Sequence, residues 1–159
     1  MTLNEKKQLQ IVACKVRMGV IESTYGAKAG HPGGSLSAAE IYTYLYFKEM
    51  NIDPKNPKWE DRDRFVLSKG HTAPGLYAAL AHRGFFPVED LVTLRHIDSY
   101  LQGHPNMNTV PGVDMSTVKG KDVSFMENNA GWHGVAPNDA QYEQAMSELN
   151  AKLAELEGM

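Results

Sequence analysis

The segment Arg64-Phe65-Val66-Leu67-Ser68 is the clearest β-strand candidate in this chain of 159 residues. It is a short apolar run closed by Lys69-Gly70, and two prolines, Pro54 and Pro57, break the chain before it. The patterns on both sides of this run are helical. The sequence therefore predicts a mostly α-helical fold with one or two short strands.

Two amphipathic helices are predicted N-terminal to this strand. In the first, from about Asn4 to Tyr25, apolar side chains recur at helical spacing and charged side chains take the other positions. In the second, from about Leu36 to Glu49, Ser37 and Glu40 have the S-x-x-E spacing of a capping box. We therefore expect the second helix to begin with a side-chain cap.

Further helices are predicted after the strand. Pro74 suits the first turn of a helix that ends at Gly84, and a short helix is expected from about Pro87 to Ile97. After a long loop, Asn138 and Gln141 have the spacing of a helix cap. The apolar stripe of this last helix consists of Tyr142, Met146, Leu149, Leu153 and Leu156. We expect the stripe to pack on the body of the protein, and the alternative is a partner helix.

The composition is that of one ordinary folded domain, which we expect to span residues 1–159. With 16 Lys and Arg against 19 Asp and Glu, the chain has no basic excess that would bind nucleic acid. The single cysteine, Cys14, excludes an internal disulfide and a cysteine-only metal site, and we expect it to be buried. No apolar run is long enough to cross a membrane and no secretory signal is visible, so we expect a cytoplasmic protein.

Histidines beside glycines are the most distinctive chemical feature of the sequence. Of the six histidines, four are flanked directly by glycine, namely His31, His71, His104 and His133. Glycine beside a histidine lets the backbone approach a ligand while the imidazole projects from a turn. His82 and His96 instead lie within helical patterns and are expected to be ordinary surface residues.

Several kinds of chemistry are compatible with four loop histidines. Zinc ligands usually come in short-spaced pairs such as H-E-x-x-H, and the sequence has none. A Ser/His/Asp triad is possible in composition, but no G-x-S-x-G turn is present. The histidines could also bind a polyhydroxylated or phosphorylated ligand and move protons, or each could satisfy backbone groups in its own turn.

Three motifs in the sequence resemble transketolase. They are GHPGGSLSAAEI at residues 30–41, DRDRFVLSKGH at residues 61–71 and QGHP at residues 102–105. In detail, the sequence is similar to the N-terminal half of a split transketolase, which is encoded separately from its C-terminal half. The similarity runs from the N-terminus to about Thr117 and resumes from about Val118 through the final helix.

The resemblance implies a cofactor and a set of site residues. Transketolases use thiamine diphosphate and magnesium to transfer a two-carbon ketol unit between sugar phosphates, as in the pentose phosphate pathway. By resemblance, His31 and His104 contact the hydroxyl groups of the ketol donor, and His71 lies against the cofactor and its diphosphate side. By the same resemblance, His133 lies at the diphosphate and the substrate and is a candidate for proton transfer. This gives His31, His104 and His133 as catalytic candidates and His71 and His133 as candidate cofactor-binding residues.

The sequence departs from the family pattern after Thr117. There the family continues with a glycine-rich diphosphate loop and a G-D-G…N metal motif, whereas Thr117 here runs directly into Val118, and the sequence contains no Gly-Asp-Gly. No residue is therefore predicted as a metal ligand. The absent block also carries most strands of the family's α/β thiamine diphosphate-binding fold. We expect a mostly α-helical remnant in which residues 64–68 pair across a subunit interface or are covered by a partner chain.

Three hypotheses about function follow from this combination. In the first, the protein is a minimal transketolase N-terminal subunit that acts on sugar phosphates only with a C-terminal subunit, with activity impaired or absent alone. In the second, it is a non-catalytic remnant that binds or stabilises transketolase-type partner chains. In the third, it is a deletion product without a role of its own. Assembly as a homodimer or hetero-oligomer is expected, because helices that normally flank a sheet would expose apolar faces.

Overall fold

The computed structural model describes residues 1–115, 120–127, 129–132 and 135–158. The protein forms two compact units, Met1–Thr117 and Val118–Met159. Among the described residues, no helix combines the length and the apolar character needed to cross a bilayer. That the two units are separate parts of one truncated family domain stays a prediction.

The first helix, α1, extends from Leu3 to Ala27 and confirms the helix predicted from about Asn4 to Tyr25. It begins with a capping box that the sequence analysis missed. The backbone N–H of Glu5 donates to the Thr2 hydroxyl (3.2 Å), and the Glu5 carboxylate accepts from the Thr2 N–H (2.6 Å). Cys14 is exposed on α1, so the expectation that it is buried is wrong.

The core of the first unit is built around α4, which runs from Ala73 to Arg83. Every residue of α4 from Ala73 to Ala81 is buried, and Gly84 ends the helix in the left-handed conformation (φ 98°). The helix α1 packs closely against it at Gly19, where an added Cβ would lie 2.9 Å from Leu91 Cδ1 and 3.0 Å from Ala78 Cβ. The predicted helix from Pro74 to Gly84 is thus confirmed, and it is the central element of this unit.

The helix predicted from about Leu36 to Glu49 is divided into shorter pieces. They are α2 (Pro32–Ser37), α3 (Ala39–Tyr44) and a π-helical turn (Leu45–Glu49). The predicted Ser37–Glu40 capping box is wrong, because the first piece already begins at Pro32 and Ser37 lies at its C-terminal end. The Ser37 hydroxyl therefore donates to the Gly34 carbonyl (2.9 Å), and Glu40 pairs with Arg17 on α1.

The predicted strand at residues 64–68 is wrong, and the described residues contain no β-strand. Here the Phe65 N–H donates to the Asp114 carboxylate (2.5 Å), which also forms an ion pair with Arg62. The Phe65 ring packs edge-on against the rings of Tyr42 and Tyr46 (centroids 5.8 and 5.9 Å apart). A carboxylate thus replaces a neighbouring strand as the acceptor, because the described part of the protein provides no second strand to pair with this segment.

The residues around Tyr100 complete the first unit. Within the helix predicted from about Pro87 to Ile97, the residues Val88–Thr93 form a 3₁₀ turn. The Tyr100 hydroxyl donates to the carboxylate of Asp90 in this turn (2.5 Å), and its ring packs edge-on against Phe86 (5.7 Å). These contacts attach the start of the long loop to the core.

The second unit contains the 3₁₀ turn Ala130–Trp132 and the final helix, α5, from Asp139 to Glu157. The predicted cap is confirmed as a full capping box, in which the Asn138 side chain accepts from the Gln141 N–H (3.0 Å) and the Gln141 side chain accepts from the Asn138 N–H (2.9 Å). Within the second unit the apolar stripe of α5 is exposed, and that it packs on the body of the protein stays a prediction.

Candidate functional site

Two of the four glycine-flanked histidines, His31 and His71, lie together in the first unit. His31 directly precedes α2, and His71 lies in the 3₁₀ turn Gly70–Thr72 that leads into α4. Their ring centroids are 5.0 Å apart, and the ring planes meet at 67°. His31 is exposed and His71 is half-buried, so one side of the pair is accessible to a ligand.

The turns that carry the two histidines are joined by buried hydrogen bonds. The Ser35 hydroxyl donates to the Thr72 carbonyl (3.3 Å), and the Tyr42 and Thr72 hydroxyls are also within hydrogen-bond distance (3.3 Å). Burial raises the pKa of Tyr42, which keeps its hydroxyl protonated at neutral pH. Both Ser35 and Thr72 are buried, so these bonds fix the two turns relative to each other.

Glycines permit this close approach. At Gly34 an added Cβ would lie 2.8 Å from Thr72 Cγ2, and at Gly75 it would lie 2.6 Å from Tyr42 Cε2. Both distances are shorter than side-chain carbons tolerate. Gly34, three residues after His31, and Gly75, four residues after His71, therefore allow the two turns to approach each other this closely. A residue with a side chain at either position would push the turns apart.

The third candidate, His104, lies in an exposed turn that is fixed to α4 through its backbone. The Tyr77 hydroxyl lies near the carbonyls of His104 (3.1 Å) and Gln102 (2.9 Å) and donates to this pair. Tyr77 is completely buried, and burial raises its pKa above the ordinary value. Sequence reasoning missed Tyr77, because an aromatic residue in a helical pattern signals only core packing.

The fourth candidate, His133, lies outside the described residues, so its role stays a prediction. Of the two histidines expected to be ordinary surface residues, His96 is exposed, whereas His82 is half-buried. The His82 Nε2 lies 3.1 Å from the Lys15 carbonyl, and burial lowers the His82 pKa. His82 therefore connects α4 to α1 and is not a plain surface residue.

The cofactor that the motifs imply is bound together with magnesium, which requires a set of metal ligands. No group of three or more His, Cys, Asp or Glu side chains in the described part of the protein is arranged to hold a metal ion. Magnesium requires oxygen ligands in near-octahedral geometry, and two imidazoles do not supply them. The described residues thus do not fit a magnesium diphosphate, whereas the His31–His71 pair suits hydrogen bonding to hydroxyl groups.

Comparison with known families gives a match over most of the sequence. The family described as "Transketolase, thiamine diphosphate binding domain" matches residues 8–148. The sequence is 49% identical over 109 residues to 6-deoxy-6-sulfo-D-fructose transketolase subunit SqwG of Clostridium sp. (strain MSTE9). It is 44% identical over 109 residues to one subunit of the apulose-4-phosphate transketolase of Phocaeicola vulgatus. Each alignment covers 69% of this protein but only 40% and 38% of the relative, so the protein spans about two fifths of the length of these subunits.

Solved structures give the same relationship. The structure of transketolase from Leishmania mexicana superposes with a TM-score of 0.66 at 34% identity, covering 69% of this protein and 16% of that one. Transketolase from Campylobacter jejuni superposes with a TM-score of 0.64 at 35% identity, covering 74% and 18% of the two proteins. The similarity extends over about two thirds to three quarters of this protein and a small part of each solved enzyme.

Proposed function

Since this protein belongs to the transketolase family through its thiamine diphosphate-binding domain, we propose that it acts as the N-terminal subunit of a split transketolase. With a C-terminal subunit it takes part in the transfer of a two-carbon ketol unit between sugar phosphates, and alone its activity is impaired or absent. The relatives named as transketolase subunits support a partner chain. A cytoplasmic location, assembly as a homodimer or hetero-oligomer, and one truncated family domain are parts of the same proposal.

The proposal rests on the His31–His71 pair. Two residues 40 positions apart meet with ring centroids at 5.0 Å, held by buried hydrogen bonds between their turns. We assign His31 and His104 to the hydroxyl groups of the ketol donor, and His71 to the cofactor side. Imidazoles suit these roles because each can donate and accept hydrogen bonds. His133 is assigned to the diphosphate and to proton transfer on the resemblance alone.

The metal that accompanies the cofactor in the family has no ligand set among the described residues. Thiamine diphosphate with magnesium supplies the carbanion chemistry of the family when it is bound. The described residues offer no donor set for the metal, so the complete assembly has to contribute it. This is why we expect no turnover from the isolated protein.

The direct test is a coupled ketol-transfer assay of this protein mixed with a split-transketolase C-terminal half, thiamine diphosphate and magnesium. We expect turnover above that of the C-terminal half alone, and a loss of about tenfold or more in His31→Ala and in His104→Ala. His96→Ala is the matched control, because His96 is exposed outside the pair. If turnover is unchanged in both variants, the assignment of His31 and His104 to the hydroxyl groups of the ketol donor is wrong.

A non-catalytic role is the second candidate function, and the missing metal donor set among the described residues favours it. In that case the protein binds a transketolase-type partner without supporting turnover. Sedimentation of the mixture distinguishes the two. A complex that forms and stays inactive, with the protein folded by circular dichroism, supports the binding role, and the absence of any complex contradicts both candidates.

A further inference from the structure

A cleft of about 520 Å³ in the first unit is lined by two segments, residues 57–64 and residues 107–114. Neither His31 nor His71 lines this cleft. Its volume is in the range of sites that bind small organic molecules. Its charged lining side chains are the cations Lys58, Arg62 and Arg64 and the carboxylate Asp114. Three cations against one carboxylate favour an anionic ligand.

One of the three cations, Arg62, is already neutralised. It pairs with Asp114, whose side chain is only 2% exposed. The Arg62 guanidinium also donates to the carbonyls of Pro57 (2.7 Å) and Asp63 (3.0 Å). The Asp114 carboxylate in turn accepts the Phe65 N–H (2.5 Å). The carboxylate of the cleft is thus committed to partners within the fold, and it does not compensate the other two cations.

The other two cations, Lys58 and Arg64, have no carboxylate beside them. Both are exposed, and neither forms an ion pair within the described ranges of the chain. Acidic residues occur in the same segment at Glu60, Asp61 and Asp63, but none of them is among the described residues that line the cleft. Two positive charges of the cleft are therefore uncompensated, and we expect them to attract an anion.

The Arg64 side chain is held in place by its own segment. Its guanidinium donates to the Glu60 carbonyl (2.9 Å) and to the Arg62 carbonyl (3.3 Å), and further N–H groups remain for a ligand. A guanidinium fixed in this way loses little freedom on binding, and its planar fork matches the oxygens of a phosphate. In the second segment, the Asn108 side chain adds an uncharged amide donor. The cleft thus combines two uncompensated cations with oriented hydrogen-bond donors.

From these observations we propose that this cleft binds the phosphate group of a small phosphorylated molecule, with Lys58 and Arg64 as the side chains that contact it. A phosphate monoester carries close to two negative charges at neutral pH, which matches the two uncompensated cations. A carboxylate carries one charge and would leave the second cation unpaired. The volume of the cleft leaves room for an organic group beside the phosphate. The site does not rest on the proposed ketol transfer, because the histidine pair does not line it.

The first test titrates the whole protein with inorganic phosphate and, separately, with glycerol phosphate, at constant ionic strength, in an isothermal titration calorimeter. We expect saturable binding of both, because the two probes share the phosphate group. Tighter binding of glycerol phosphate identifies an ester as the ligand, and inorganic phosphate that binds at least as tightly identifies free phosphate. If neither probe binds saturably, the proposal is wrong.

The second test removes one cation of the cleft. Lys58→Gln should weaken phosphate binding about tenfold, because a charge-assisted hydrogen bond is lost. Lys58 is exposed and forms no ion pair among the described residues, so this variant should fold normally, which circular dichroism checks. Lys55→Gln is the matched control, since Lys55 is an exposed lysine three positions earlier that does not line the cleft. Equal weakening in the two variants would mean that phosphate responds only to net charge, and would overturn the proposal.

The third test examines the guanidinium and the location of the phosphate. Arg64→Lys keeps the charge but not the planar fork, so it should weaken binding less than Arg64→Gln does. His31→Ala should leave phosphate binding unchanged, because His31 does not line the cleft. Phosphate binding that is lost in His31→Ala and retained in Arg64→Gln would place the phosphate at the histidine pair, and the proposed site would be wrong.

Discussion

The helices α1 and α5 begin in the same way and end up in different environments. Each starts with a capping box, formed by Thr2 and Glu5 in α1 and by Asn138 and Gln141 in α5. The helix α1 then buries a full face, whereas α5 buries little beyond Ala145. The residues that α1 buries are Ala13, Val16, Gly19, Val20 and Ser23. Capping is a local property of a few residues, but burial depends on which other elements the sequence supplies, and the motif departure after Thr117 falls between the two helices.

The largest expected effect is a loss of folding free energy when a buried carboxylate of the first unit, Asp114, is removed. An exposed carboxylate of the second unit, Glu148, gives the comparison. Asp114 accepts the Phe65 N–H and pairs with Arg62, and its side chain is only 2% exposed. Glu148 accepts the N–H and the hydroxyl of Ser124 in an exposed setting (2.6 Å for both). Removing one partner of a buried pair leaves an uncompensated charge, so Asp114→Ala should lower the free energy of unfolding by about 3–5 kcal/mol. Urea denaturation measures this.

Glu148→Ala is the control for that substitution. Because water can solvate the Ser124 groups that lose their partner, its effect should be much smaller than that of Asp114→Ala. Equal losses in the two variants would mean that the second unit depends on its carboxylate as much as the first unit does, and the contrast between the units would fail.

The second expected effect is on the free energy of unfolding when an apolar side chain is shortened in α1 or in α5. Val20 on α1 is fully buried, and Leu153 on α5 is 52% exposed. Val20→Ala removes buried methyl groups and leaves a cavity, so it should cost about 2 kcal/mol. Leu153→Ala should stay within about 0.5 kcal/mol in dilute, monomeric protein. Thermal or urea unfolding at low concentration measures both, and a large loss in Leu153→Ala would show that the apolar stripe of α5 is covered within one molecule.

The sequence predicted those elements of the structure that depend on neighbouring residues, and it did not predict those that depend on contacts between residues far apart in the chain. The helix ending at Gly84 and the cap at Asn138 were predictable, because each depends on residues within a few positions. The strand at residues 64–68 was not, since an apolar run becomes a strand only beside another strand. Here Asp114, 49 positions away from Phe65, accepts its N–H instead. The Ser37–Glu40 box failed because a correct spacing lay at the wrong end of α2.

The sequence predicted the histidines of the candidate site but not the hydrogen bonds that hold their turns in place. The glycine-flanked motifs selected His31 and His71, which the structure brings together. The buried bonds from Ser35 and Tyr42 to Thr72, and the partly buried bond from Tyr77 to the His104 turn, carried no signal in the sequence. Serine, threonine and tyrosine occur everywhere, and only the fold shows which of them hold a site in position.

The third prediction concerns the caps themselves. Thr2→Ala and Asn138→Ala each remove a side-chain acceptor from a helix N-terminus, which typically costs about 1 kcal/mol. In α1 the loss should stay in the first turn, because the buried face holds the rest of the helix. In α5 it should spread along the helix, since hardly any packing opposes fraying. Amide hydrogen exchange along each helix measures this, and equal spread in both would contradict the comparison.

The smallest effect is an acid response of one capping box and not of the other. The hydrogen bond from Lys48, followed by that of the Thr2 backbone, lowers the pKa of Glu5 from 4.5 to about 2. A depressed carboxyl pKa stabilises the folded state above pH 4.5, and this stabilisation is lost as the pH falls towards about 2. The Asn138–Gln141 box contains no titratable side chain. Amide protection at the start of α1, measured relative to the intrinsic exchange rate at each pH, should therefore fall over that range, and Glu5→Gln should abolish the response. Because Glu5 is exposed, salt should reduce it as well. Because the first turn of α5 carries an acidic residue of its own, Asp139, the deciding comparison is within α1. A start of α1 that loosens to the same extent in Glu5→Gln would mean that the acid response does not come from the Glu5–Lys48 contact.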